Sequence, residues 1–246
     1  MKNYILKIAD DSLIMAQRLA EWCGKGPYLE EDIAIINIAL DQLGQANNLY
    51  NLAVKYFADG RTADDFAMKR VEKEYLNAQL VELPNGDYAN TILKAYFFAV
   101  YQNVLYEALS HSADDDLKAV ALKSLKEVRY HYTHTETWMR VFAQGTEESK
   151  TRLNAALENL CEYTGGLFDE VADEQNLAEL NLIPSSASLK DSWMNRISSD
   201  FAKFGLNVPA ETWMQKGSRK GIHTEWFGFI LCELQYMQRT YPDCAW

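Results

Sequence analysis

Between residues 33 and 56 apolar side chains recur three and four positions apart on two stripes of one helix. Ile33, Ile36, Leu40, Leu43, Asn47, Tyr50 and Val54 form the first stripe; Ile35, Ile38, Gln42, Gln45, Leu49, Leu52 and Tyr56 form the second. A helix patterned on two faces is expected at the centre of a bundle. An unpaired buried amide costs about 1 to 3 kcal/mol, so Gln42 and Gln45 are expected to face polar partners.

The same periodicity organises the rest of the chain. Ile8, Ser12, Met15, Leu19 and Trp22 mark the inner stripe of a first helix ending at Gly24, with Gly26 and Pro27 turning the chain. After Gly60 a third helix is expected over residues 65–80, more exposed because it is rich in Lys and Glu. Pro84, Asn85 and Gly86 form a turn before the N-cap residue Asp87, and a fourth helix continues to about residue 111 through Ile92, Tyr96, Ala99, Asn103 and Tyr106. Asp114, Asp115 and Asp116 open a fifth over 117–142, with Ala121, Leu125, Val128, His131 or Tyr132, Thr135, Met139 and Phe142 inward, stopping at Gly145. Thr146 caps a sixth, which places Glu147 and Glu148 in its positive first turn and ends at Gly165 and Gly166. Residues 173–189 read as a short helix and a loop, and 190–204 and 224–241 as the last two helices. No strand pattern, repeat or linker appears. The expected fold is all-α: four long antiparallel helices with flanking helices, one domain over residues 1–246.

Composition narrows the function. With 48% apolar and 24% charged residues the chain has enough apolar material for its own core. Its 35 acidic against 24 basic residues give a net charge of -11, which disfavours nucleic acid and anionic lipid and suits a basic partner. Cys23, Cys161, Cys232 and Cys244 form no CxxC pair, so neither a zinc site nor a redox dithiol is indicated, and reduced cytosolic thiols are expected. Asp10 and Asp11 interrupt the N-terminal apolar run, and no stretch reaches the roughly 18 apolar residues of a membrane span. A cytoplasmic location is expected.

Bundles of four long helices commonly hold two metal ions, using one carboxylate from each of two helices and a Glu-x-x-His pair from each of the others. On the fifth helix Glu127 and His131 are spaced to grip a metal, but the i, i+3 partner of His131 is Val128. On the second helix the corresponding pair is Gln42 and Gln45, neutral amides that balance no metal charge. Ser12 and Ala99 stand where the other carboxylates are required. Gln42, Gln45 and His131 therefore read as hydrogen-bonded core residues, and Glu127, His134 and Glu136 as a solvated flank. Gly44 reads as a point of close helix approach. Lys216, Arg219 and Lys220, between Gly217 and Gly221, read as a solvated loop, with phosphate or carboxylate binding as the alternative. No nucleophile with its base and no Gly-rich phosphate loop is present.

Several motifs make the chain recognisable: RLAEWCG from Arg18, LEEDIA from Leu29, LDQLGQA from Leu40, LVELPNGD from Leu80, KEVRYH from Lys126, Gly145-Thr, GIHTE from Gly221 and ELQYMQR from Glu233. Through these, spread from end to end, it resembles the C-subunit family of the bacterial multicomponent ring 1,2-phenylacetyl-CoA epoxidase, a monooxygenase of phenylacetate catabolism. The resemblance implies a ferritin-like fold and a stable complex with the homologous A subunit, which carries the di-iron site, and with other subunits including a reductase. No cofactor is then expected in this chain. The catalytic homologue's ligand positions fall on Ser12, Gln42, Gln45, Ala99, Val128 and His131, of which only His131 retains a ligand side chain. The resemblance also places the CoA thioester, held mainly by the A subunit, near Glu74, Tyr75, Leu76 and Asn77 and near Gln175, Asn176 and Leu177. A structural, non-catalytic subunit is the reading that results. Its alternatives are a self-sufficient di-iron or dimanganese enzyme using Glu127, His131 and acids such as Glu21 or Glu107, and a helical scaffold outside phenylacetate metabolism. Trp226, Phe227, Phe229, Ile230, Leu234, Tyr236 and Met237 exceed what one helix face needs, so part of this run, with the tail to Trp246, is expected at the A-subunit contact.

Overall fold

Helix starts are set by short polar side chains that take up free backbone amides. In the computed structural model, which describes residues 1–207, 213–242 and 244, Asp87 accepts from the Asn90 amide at 2.9 Å, Asp114 from Leu117 at 2.8 Å and Thr146 from Ser149 at 3.2 Å. Ten α-helices and no strand occur among the described residues: α1 (Lys2–Ala20), α2 (Leu29–Phe57), α3 (Ala63–Met68), α4 (Gln79–Glu82), α5 (Tyr88–Leu109), α6 (Asp115–Gln144), α7 (Glu147–Leu160), α8 (Glu174–Glu179), α9 (Ser186–Phe204) and α10 (Phe227–Thr240). The all-α expectation and the caps at Asp87 and Thr146 hold. Contacts divide the chain into two compact units, one of Met1–Pro84 with Gly217–Trp246 and one of Asn85–Lys216.

In the first unit α1 packs along α2, with α3, α4 and α10 and a 3-10 turn at Ser218–Lys220 completing it. Helix α1 is buried on every side from Tyr4 to Ala16, and this burial includes Lys7, Asp10, Asp11 and Ser12. Helix α2 is buried mainly on its second stripe, with Tyr50 the one buried large side chain of the first. Ile35, Ile38, Gln42, Gln45, Leu49 and Leu52 face inward, whereas Ile33, Leu40 and Leu43 are exposed, which corrects the expectation of burial on both stripes. The main neighbours of α2 within its unit, α1 and α3, leave that outer face uncovered.

The continuous helix expected over 65–80 is also corrected. Helix α3 stops at Met68, a 3-10 turn follows at Glu72–Glu74, the chain runs extended through Tyr75 and Ala78, and α4 is a single turn. Long-range partners outcompete local helix propensity here.

The second unit is built on α5, buried almost all round, against which α6, α7 and α9 pack. The indole of Trp193 donates to the Phe97 carbonyl at 3.0 Å, and the Asn103 amide donates to the Val128 carbonyl at 2.8 Å, tying α9 and α6 to α5. Asp200, fully buried on α9, accepts from the hydroxyls of Tyr96 (3.0 Å) and Tyr132 (2.7 Å) and from Lys203 (2.9 Å). Burial first, then Asp200, pushes the Tyr96 hydroxyl pKa upward, and burial and the Asp200 hydrogen bond push Tyr132 to about 12. Both phenols therefore serve Asp200 as hydrogen-bond donors.

Candidate functional site

The polar interior of the first unit starts from two adjacent acids inside an otherwise apolar helix. Asp10 and Asp11 are each 0% exposed, and an uncompensated buried carboxylate is strongly unfavourable. Each recruits an arginine from far along the chain. Arg70 forms an ion pair with Asp10, which also accepts from the Tyr50 hydroxyl at 2.6 Å. Arg219 reaches both oxygens of Asp11, at 2.7 and 2.9 Å, in the fork geometry that suits guanidinium to carboxylate. Burial raises the Asp11 pKa, and Arg219 pulls it back. Burial alone would lower the Arg70 guanidinium, but Asp10 holds it above its ordinary value.

A third buried acid, Glu82, closes the cluster. Its carboxylate receives the Asn77 side-chain amide at 2.9 Å and both the backbone amide and the hydroxyl of Thr224 at 2.8 Å, and it lies 2.6 Å from Nδ1 of His223. Arg18 donates twice to the Glu82 carbonyl, at 2.8 and 2.6 Å.

All this machinery converges on the extended segment at residues 74–78. The Glu74 carbonyl accepts from Arg70 at 2.8 Å, the Tyr75 carbonyl lies 3.1 Å from Nε2 of His223, and the Leu76 carbonyl accepts from Arg219 at 2.6 Å. The Leu76 amide donates to Asp10 at 2.8 Å and the Ala78 amide to Asp11 at 2.7 Å. Gly221 is required alongside, because a side chain there would collide with the Lys73 carbonyl and its φ is +75°. The segment is thus held by charged side chains rather than by a helix or sheet ladder. Tyr75 and Asn77 turn inward: the Tyr75 hydroxyl donates to the Ala67 carbonyl at 2.7 Å and accepts from Gln235 at 3.0 Å, and burial raises its pKa to about 12. The Glu74 side chain is exposed and Leu76 half-buried. In the second unit Gln175 and Asn176 are exposed on α8 and Leu177 is half-buried.

A hollow of about 500 Å³ beside Glu74 is lined by Asp59, Gly60, Arg61, Asp65, Lys69 and Arg70. Its cations are already committed, Arg61 to Asp59 at 2.7 Å, Lys69 to Asp65 at 2.8 Å and Arg70 to Asp10. It therefore offers no surplus positive charge to a phosphate.

Arg219 and its neighbour Ser218 are buried, which overturns the solvated-loop expectation for 216–220 at these two positions and assigns Arg219 to Asp11 instead of a phosphate. Gly44 also departs from expectation: an added Cβ there would meet nothing within 4 Å among the described residues, so none of them approaches it closely. Sequence reading missed Asp10, Asp11, Arg70, Glu82 and Arg219 as an interacting set. The available signal was the pair of aspartates embedded in the apolar run YILKIADDSLIMA, which demands cations from elsewhere.

The six inner-stripe positions are all deeply buried: Ser12 (0% exposed), Gln42 (2%) and Gln45 (0%) in the first unit, and Ala99 (2%), Val128 (0%) and His131 (1%) in the second. Glu127, His134 and Glu136 are half-buried on α6. Glu21 pairs with Arg18 at 2.6 Å, and Glu107 with Arg129 at 3.0 Å on the surface. Among the described residues no three His, Cys, Asp or Glu side chains come together as a metal-holding group, and no helix is long and apolar enough to cross a membrane. Those of the first unit are a hydroxyl and two neutral amides, and those of the second are two apolar side chains and one imidazole, so neither unit offers a carboxylate at these positions.

Comparison with known proteins identifies the family. A family model described as "Phenylacetic acid catabolic protein" matches residues 1–246. The C subunit of 1,2-phenylacetyl-CoA epoxidase from Escherichia coli (strain K12) is 37% identical over 243 residues, which cover 99% of this chain and 98% of that protein.

Proposed function

The chain belongs to the phenylacetic acid catabolic protein family, and from that premise we propose that it is a non-catalytic structural subunit of a cytoplasmic phenylacetyl-CoA epoxidase complex. It supports a homologous A subunit that carries the di-iron site, alongside the other subunits and a reductase. One observation carries the reading: the inward positions at the middle of α1, α2, α5 and α6 are buried yet hold serine, two glutamines, alanine, valine and one histidine in place of anionic ligands. In the first unit the fully buried carboxylates Asp10, Asp11 and Glu82 are each already neutralised by an arginine or engaged with a histidine.

The fold that accompanies this reading is ferritin-like and forms a single domain over residues 1–246. Each unit supplies one pair of long packed helices, α1 with α2 and α5 with α6, which supports it. On this reading the CoA thioester, held mainly by the A subunit, lies near Glu74, Tyr75, Leu76 and Asn77 of the first unit, of which Tyr75 and Asn77 present backbone only because their side chains are buried, and near Gln175, Asn176 and Leu177 of the second. The rigid backbone at 74–78 suits a docking edge, and the balanced charges of the adjacent hollow suit an A subunit that supplies the cations for the CoA phosphates. On α10 and at its N-cap Trp226, the side chains of Trp226, Phe229, Tyr236 and Met237 are exposed while Phe227 and Ile230 are buried, so this run has apolar side chains left for a partner. The tail position Trp246 lies outside the described residues.

Co-expression with the A subunit tests the assignment. Omitting this chain is expected to leave the A subunit insoluble or inactive, while His131→Ala in a folded complex retains epoxidation. Elemental analysis after anaerobic Fe(II) loading is expected to find no stoichiometric iron in the isolated chain. Two irons per chain, or full activity of the A subunit alone, refutes the reading.

A further inference from the structure

Within the second unit an open cleft of about 710 Å³ lies among α5, α6 and α9, and none of Ala99, Val128 and His131 lines it. Its volume falls in the range of small-molecule sites, roughly 300 to 1,000 Å³. Val100, Val104 and Ala108, four residues apart on α5, give it an apolar floor. Ser192, Asn195, Arg196, Ser199 and Lys203 form a polar wall from α9, whose other face buries Trp193, Ile197, Phe201 and Phe204. Hydrocarbon below and polar groups along one side is a lining that suits an amphipathic ligand.

The charges around the cleft are unequally matched. Lys203 pairs with the fully buried Asp200 at 2.9 Å, and Glu107 pairs with Arg129 at 3.0 Å. Arg196 forms no ion pair with a carboxylate among the described residues. Its guanidinium lies over the Tyr132 ring, 5.0 Å from the centre, and hydrogen bonding to Tyr132 is the first cause holding its pKa above the ordinary value. Tyr132 is fixed in turn, because its hydroxyl donates to Asp200 at 2.7 Å. The arginine is therefore positioned by a phenol and not neutralised by an acid. Arg196, Lys203 and Arg129 against Asp200 and Glu107 leave a local positive excess, opposite in sign to the chain's net charge of -11. Beside Arg196, the side chains of Ser192, Asn195 and Ser199 have no hydrogen-bond partner among the described residues.

These features select the ligand's chemistry. One unpaired guanidinium, planar and with parallel N–H donors, matches a single carboxylate. A phosphate chain calls for several cations or for the free amides of a helix start, whereas α9 lines the cleft with its middle and last turns. The floor of Val100, Val104 and Ala108 asks for an apolar stem on that carboxylate.

We propose that this cleft binds a small monocarboxylate with a hydrocarbon or aryl stem, the carboxylate on Arg196 and the stem along Val100, Val104 and Ala108. The site is contained in the second unit and stands independently of the structural-subunit reading.

Titration calorimetry of the full-length chain with phenylacetate, hexanoate, the neutral phenylacetamide and inorganic phosphate tests the proposal. Phenylacetate and hexanoate are expected to bind with a Kd below about 1 mM. Phenylacetamide and phosphate are expected to bind at least about tenfold more weakly, the first for want of charge-assisted hydrogen bonds and the second for want of a stem. Arg196→Gln is expected to weaken carboxylate binding at least about tenfold with circular dichroism and cooperative unfolding preserved. Ala108→Glu, which sets a carboxylate on the opposite side of the cleft, is expected to abolish binding without touching α9. In the NMR spectrum phenylacetate is expected to shift the side-chain amide signals of Asn103 and Asn195, which line the cleft, and to leave that of Asn51 on α2 in place. Absence of saturable carboxylate binding up to about 10 mM overturns the proposal. Equal affinity for phenylacetamide, or wild-type affinity in both variants, overturns it as well. Phosphate binding as tight as that of phenylacetate assigns Arg196 to inorganic anions and overturns the amphipathic class.

Discussion

Glu82 and His223 meet in a fully enclosed contact, Nδ1 of the imidazole 2.6 Å from the carboxylate, with neither side chain reaching solvent. The ring is stacked on Phe227 with centroids 4.1 Å apart, so its plane is fixed as well as its hydrogen bonds. Through this pair the turn before α10 is fastened to α4 and to the Tyr75 carbonyl. The C-terminal part of the first unit is thereby joined to the end of that unit's N-terminal part.

Truncation of Glu82 should therefore be costly. Glu82→Ala strands the Asn77 amide, the Thr224 amide and hydroxyl and His223 in a dry site. A loss of about 3 to 5 kcal/mol in urea unfolding is expected, the range for breaking a buried pair from one side. The exposed Glu30→Ala serves as control, expected within about 0.5 kcal/mol of wild type. Equal behaviour of the two variants would show that the Glu82 cluster is not closed to water.

Thiol reactivity separates the cysteines by environment. Burial alone pushes the thiol of the half-buried Cys161 up to about 12, so at neutral pH it stays protonated. Cys23, Cys232 and Cys244 are exposed. A thiol-specific reagent applied to the native chain should modify these three quickly and the half-buried Cys161 more slowly. Modification of Cys161 as fast as that of the exposed three, located by peptide mapping, would contradict its raised pKa.

Asp65 makes a pH-dependent contribution at the start of α3. Its side chain accepts from Lys69, from the Thr62 amide at 2.7 Å and from the Thr62 hydroxyl at 2.9 Å, and these bonds, Lys69 first, hold its pKa at about 2. A depressed carboxylate stabilises the fold above its unfolded pKa of about 3.9, and the contribution is lost as pH falls from there toward 2. Asp65→Asn should cost about 0.5 to 1 kcal/mol at pH 6, the worth of a partly solvated cap, and the gap to wild type should close progressively below pH 4. A gap that is constant from pH 6 to pH 3 would remove the ionised carboxylate as its cause.

What the sequence displayed, and what it hid, divides along the range of the interactions. The starts at Asp87 and Thr146 and the buried row Ala121, Leu125, Val128, His131, Thr135 and Met139 are written locally, in capping residues and in 3.6-residue periodicity. The break within 65–80 is not, because its cause lies in Asp10, Asp11, Arg219 and His223, none of them nearby in sequence. Local propensity favours helix across those lysines and glutamates, and only the distant charges make the extended segment the better-satisfied backbone. Similarly, apolar periodicity identified both stripes of α2 but carries no information on whether this chain or another covers them. Asp10 and Asp11 were visible as charges, and their burial became interpretable only with Arg70 and Arg219 in place.

The Asp10 and Arg70 pair offers the sharpest test of that long-range wiring. Arg70 donates to the Phe66 carbonyl at 2.6 Å and to the Glu74 carbonyl at 2.8 Å as well as to Asp10, so one guanidinium joins α3, the 74–78 segment and α1. Arg70→Met would leave the Asp10 charge buried against the Tyr50 hydroxyl and the Leu76 amide with no cation paired to it, and Asp10→Asn would leave a guanidinium without its anion. Each single variant should lose about 3 to 5 kcal/mol, whereas the double variant should lose clearly less than their sum, because the second change removes the charge that the first had stranded. Hydrogen exchange adds a local readout. The Leu76 amide donates to Asp10, so its protection should fall in Asp10→Asn more than that of the Ala78 amide, which Asp11 continues to hold. Additive losses in the double-mutant cycle, to within about 0.5 kcal/mol, together with equal protection of both amides, would mean that Asp10 and Arg70 act independently and that the extended segment is held by something other than the buried charges.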